Sequence, residues 1–82
     1  MIENHRLIFN TCDKIFDNIN ILSKYEYYNN SHIKQIYNLS ILYLSDDNGS
    51  IIKFKNSVRN IIRNMIKSKE GEDMCYKIIN EN

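Results

Sequence analysis

Ile41-Leu42-Tyr43-Leu44-Ser45-Asp46-Asp47-Asn48-Gly49-Ser50-Ile51-Ile52-Lys53-Phe54 is the stretch whose reading decides the fold. Asp46-Asp47-Asn48-Gly49 is the strongest turn signal in the chain. Its two flanks match each other in apolar character, as the strands of a β-hairpin would. The other reading ends one helix at the turn and starts a second, with Ser50 as its cap. The residues beyond the turn choose between them. Ile51, Phe54, Val58, Ile61 and Met65 recur at spacings of 3, 4, 3 and 4, one unbroken stripe of a helix. The spacing therefore predicts a helix from about 50 to 69, with Gly71 as its C-terminal stop. The hairpin, at about 40–55, is the alternative.

Upstream of the turn, Ile33, Ile36, Tyr37, Leu39, Ile41, Leu42, Tyr43 and Leu44 make a second helix, starting at Ser31, apolar on several sides. Such a helix is expected to lie centrally, touched by both neighbours. Asn29-Asn30-Ser31 supplies its start signal. Further back, Ile8, Cys12, Ile15, Ile19 and Leu22 form one stripe, widened by Phe9 and Phe16, on a first helix over residues 3–24. Lys24 to Asn30 reads as a connection. Met74, Cys75, Ile78 and Ile79 suggest a short last helix. The expected fold is a small all-α bundle of three main helices plus a short C-terminal helix, in one domain over residues 1–82. An α+β form with the hairpin is the second choice.

Composition bounds the function. A chain of 82 residues buries only about 60–65% of its unfolded surface, and a substrate cleft would take volume from a thin core. Asn, Ile, Lys and Tyr abound while Ala, Pro and Trp are missing. The codons concerned point to an A/T-rich genome, such as a phage, another virus, a mobile element or an A/T-rich cell. The start, Met1-Ile2-Glu3-Asn4-His5-Arg6, does not resemble a signal peptide. The longest apolar run, Ile41–Leu44, is far too short to span a membrane. The expectation is a cytoplasmic protein with reduced thiols, and three Asn-x-Ser sequons at Asn29, Asn38 and Asn48 then carry no meaning.

The net charge is +1 but unevenly spread. Residues 50–69 hold six basic side chains and no acid, and Glu70, Glu72 and Asp73 follow at once. Lys55, Arg59, Arg63 and Lys67 lie four residues apart and form one ridge on the third helix, with Lys53 near the same side. The ridge is expected nearly opposite the apolar stripe. It suits phosphates or an acidic protein surface, against the plain reading of a solvated face. A helix-turn-helix would use Lys53, Asn56, Asn60 and Arg63 on base edges, but Asp46 and Asp47 would then approach the phosphates.

Other chemistry is thinner. With Gly49 at the glycine of a calcium loop, Asp46, Asn48 and Ile51 fall on its third, fifth and eighth positions. Leu44 and Lys55, however, take the first and twelfth, where acidic ligands belong. His5, Cys12, His32 and Cys75 lack the local spacing of a zinc site, and neither cysteine has an activating neighbour for nucleophilic work. Asp13 and Asp17 share a face but read as solvated acids. Tyr25, Tyr27 and Tyr28 cluster on the connection and suit a partner contact, since tyrosine offers a rigid area with a polar tip. The expected function is a small non-enzymatic protein-binding regulator, an inhibitor, adaptor or antagonist of a larger partner. No cofactor or metal is called for. The alternative is a nucleic-acid-binding regulator using the basic face. A homodimer is one way to cover surplus apolar surface.

Overall fold

The computed structural model describes residues 4–28, 30–44 and 51–81; within these, the side chains of 24–28 and 44 lie outside the description. Four helices and a 3-10 segment follow one another: α1 (His5–Asp17), a 3-10 helix (Ile19–Tyr28), α2 (Ser31–Leu44), α3 (Ile51–Met65) and α4 (Lys69–Asn80). The fold is the small all-α bundle that the periodicity predicts, with no strand among the described residues. The two would-be hairpin arms belong to α2 and α3. The turn Asp46–Gly49 and the Ser50 cap lie outside the described residues.

The first helix is shorter than its stripe suggests. Asn4 caps its start, with its Oδ1 accepting from the Leu7 amide at 3.0 Å. The helix stops at Asn18, whose backbone leaves the helical region (φ −150°, ψ 87°) while its amide still donates to the Lys14 carbonyl. The Asn18 side chain then accepts from the Asn20 amide at 3.2 Å, and its carbonyl accepts from Ile21 at 3.1 Å. Asparagine competes in this way with the next helical bond, and the chain continues in three-residue turns. Residues 3–24 are therefore not one helix, and Lys24–Asn30 is largely 3-10 helix instead of an open connection. Ile21 and Leu22 of this segment are buried.

Asn30 caps α2, its Oδ1 accepting from the amides of His32 (2.9 Å) and Ile33 (3.1 Å). α2 is not the central helix. It packs on its two neighbours in the chain, the 3-10 helix and α3, as expected, but α1 and α3 each pack on three elements. The surplus apolar residues of α2 are the reason: Ile33 and Ile36 are buried, but Ile41 and Leu42 are 55% and 63% exposed. The core is one cluster. Leu7, Ile8, Cys12 and Ile15 of α1 meet Phe54, Val58, Ile62 and Met65 of α3 and Met74, Cys75 and Ile78 of α4, with Ile21, Leu22, Ile33 and Ile36 completing it. Each fully buried aliphatic or aromatic side chain contributes about 1.5–3 kcal/mol. Ile62 takes the buried place in the α3 stripe that the spacing gives to Ile61, which is only partly buried, and Ile51 stays exposed.

The junction of α3 and α4 corrects the reading of Gly71. α3 ends at Met65, and Ser68 caps α4, its Oγ accepting from the Gly71 amide at 3.0 Å. Gly71 thus sits in the first turn of α4, which begins at Lys69 and runs to Asn80. The glycine has a packing reason. A β-carbon there would overlap the Met65 carbonyl oxygen and come within 2.7 Å of its carbon. Only hydrogen at position 71 lets α4 turn this tightly off α3. Gly71→Ala is therefore expected to destabilise the protein by about 2–3 kcal/mol, as overpacking against backbone does. A lowered urea midpoint at unchanged slope checks this.

Candidate binding groove

α1 and α3 run antiparallel. Phe16, near the end of α1, meets Phe54, near the start of α3, edge to face with ring centroids 6.0 Å apart and planes at 61°. The ammonium of Lys55 lies 5.3 Å from the centre of the same Phe16 ring, a contact typically worth about 0.5–1 kcal/mol at an exposed site. At the other end of the pair, residues 5–10 of α1 face Arg59 and Arg63 of α3. His5, Arg6, Ile8, Phe9, Asn10, Arg59 and Arg63 line an open groove of about 470 Å³ there.

The groove brings together cations from two helices. Arg6 is absent from the sequence-level ridge because nothing local connects it to Arg59 and Arg63. Only the antiparallel packing does so. The ridge itself runs along the α1 side of α3 and not opposite the core stripe. Lys55 sits at the core's edge over Phe16, and Arg59 and Arg63 border the groove. Lys67 lies in the turn beyond the last residue of α3, and Lys53 is exposed on α3; neither lines the groove. Among the described residues no acidic side chain lines the groove. Phe9, which the stripe placed in the core, is 61% exposed on the groove wall, while its neighbour Ile8 is buried.

Cys12 is buried on α1, near enough to Arg59 and Arg63 to feel their charge. Burial pushes its thiol up from 9.0 to about 11; the charge of Arg59 opposes this, Cys75 and Asp13 add to it, and Arg63 opposes it more weakly. Burial likewise pushes Cys75 up to about 11, against a hydrogen bond with Thr11 that lowers it and with Glu72 raising it further. Thr11 is itself buried and donates its hydroxyl to the Leu7 carbonyl at 2.7 Å. Both thiols are therefore core groups held protonated at neutral pH, and neither is poised as a nucleophile. Among the described residues no three or more His, Cys, Asp or Glu side chains come together as metal ligands would. Tyr25, Tyr27 and Tyr28 ride on the 3-10 helix, and their side chains lie outside the described residues.

No known protein family, curated protein or solved structure matches this chain at a significant level. Among the described residues no helix is long and apolar enough to cross a membrane.

The thiols give a direct check on this core. Unfolded cysteines ionise near 9.0 and the folded ones near about 11, so folding stability is full below pH 9 and falls as pH rises through that window. Urea midpoints measured from pH 8 to 11 are expected to fall more steeply for the native sequence than for the Cys12→Ala, Cys75→Ala double variant. Iodoacetamide at neutral pH is expected to label both thiols in urea and to label them at least about 100-fold more slowly in the folded protein, from the drop in thiolate alone.

Proposed function

We propose that the protein is a small non-enzymatic protein-binding regulator that acts by docking on a larger partner as an inhibitor, adaptor or antagonist. The observation that supports this reading is the apolar surface left at one end of the α2–α3 pair. Ile41 and Leu42 close α2, Ile51 and Ile52 open α3, and they are 55%, 63%, 52% and 72% exposed. Four large aliphatic side chains held in water at the end of one helix and the start of the next suit a contact surface. Lys53 and Lys55 follow directly and are exposed. The partner surface that fits is an apolar patch with an acidic rim, the rim steering the encounter and the patch supplying the affinity. The excess of residues with A/T-rich codons fits a phage, another virus, a mobile element or an A/T-rich cell as the source, and we place the protein in the cytoplasm.

Leu42→Ser with Ile52→Ser tests the reading. Both side chains are exposed, so the thermal midpoint is expected to stay within about 2 °C. A partner retained from host cells by the native protein, then purified, is expected to bind the double variant at least tenfold more weakly. An unchanged affinity contradicts the proposal. So does light scattering that finds a dimer, made monomeric by the same two substitutions, with no third protein retained; the face would then join two copies of this chain.

A further inference from the structure

A second surface, apart from the apolar end, has a chemistry of its own. The α1–α3 groove combines three guanidinium groups, Arg6, Arg59 and Arg63, with His5, Asn10 and the exposed ring of Phe9, in about 470 Å³. We infer that this groove binds single-stranded nucleic acid, the arginines holding the phosphates and Phe9 stacking on a base.

Three observations meet in this assignment. First, the cations converge from two helices and surround a concave seam, whereas a merely solvated helix face would point them apart. Guanidinium is planar and presents paired donors that match phosphate oxygens. Second, the ring of Phe9 is 61% exposed on the groove wall. An aromatic ring in a basic groove is the pairing by which proteins hold single strands without sequence readout, since every base has a face to stack. Third, the cationic track continues beyond the groove. Lys55, Arg59 and Arg63 succeed one another at about 6 Å along α3, from the 1.5 Å rise per residue, with no acid between Ile51 and Met65. An acidic peptide would use the charges but not the ring. A duplex, read by a helix projecting into its groove, would not use a ring set in the seam between two helices.

Fluorescence anisotropy with a labelled 12-nucleotide single strand of mixed sequence tests the inference, at 20 to 200 mM salt. Binding is expected to weaken with salt at a logarithmic slope near −2, from about three phosphate contacts at about 0.7 each. Arg59→Gln with Arg63→Gln is expected to weaken binding at least tenfold and to flatten the slope to near −0.7. Phe9→Leu keeps the apolar bulk and is expected to weaken binding about tenfold at unchanged slope, as loss of one stacked base does. Lys53→Gln removes the same charge from α3 outside the groove and is expected to change affinity less than twofold. Circular dichroism is expected to show that each variant keeps its helices. Absence of binding at 20 mM salt overturns the inference. So does a Lys53→Gln loss as large as that of Arg59→Gln, or equal affinity for the 12-base-pair duplex or for a polyglutamate peptide with no effect of Phe9→Leu. The Leu42→Ser, Ile52→Ser variant is expected to bind the strand normally, so this result and that for the protein partner are read separately.

Discussion

The register of α1 against α3 is the constraint on which the rest of the molecule depends. The Phe16–Phe54 contact pins one end of the pair, 6.0 Å between ring centres. The buried stripes then carry the two helices past each other, so that Arg6 and Ile8 of α1 share a groove with Arg59 and Arg63 of α3. One helical turn of slippage, about 5.4 Å, would part the Phe16 ring from that of Phe54. It would also part Arg6 from its two companions. α1 and α3 are each touched by three other elements, and the placement of the cationic groove is a by-product of core packing. No local sequence motif was needed to make it.

Much of this was legible in the chain. The unbroken period through Phe54, Val58 and Met65 rightly favours helix over hairpin, because a β-strand buries every second residue and cannot keep that spacing. Other features resisted for identifiable reasons. Asn18 ends α1, but asparagine is so common here that no single one stands out as a stop. Gly71 reads as a helix terminator because glycine serves that role often. Its actual role, making room for the Met65 carbonyl, is a tertiary contact without a local signature. Half of the candidate site was visible as the Lys55, Arg59, Arg63 series. The other half, Arg6 and Phe9, lies about fifty residues away in the chain and joins only through folding. Phe9 in particular looks like core by its spacing, and only the direction in which α3 approaches leaves it outside.

Two surfaces of different character result. The end of α2 and the start of α3 expose the four aliphatic side chains Ile41, Leu42, Ile51 and Ile52. The α1–α3 groove is concave, basic and aromatic. They share α3, whose long run without an acid serves both: Lys53 and Lys55 border the apolar end, while Arg59 and Arg63 border the groove. The acids Glu70, Glu72 and Asp73 fall on α4, where Asp73 pairs with Lys69 at 3.3 Å on the surface. The charge asymmetry of the sequence thus becomes a division between helices, with α3 basic and the start of α4 acidic.

The register of α1 on α3 is most directly tested by nuclear Overhauser contacts of the Phe16 ring in isotope-labelled protein. The structure predicts cross-peaks from Phe16 to the ring of Phe54 and to the side chain of Lys55, with helical shifts for residues 51–65. Cross-peaks from Phe16 to α2 or α4 in their place, or strand-like shifts over 51–54, would contradict it.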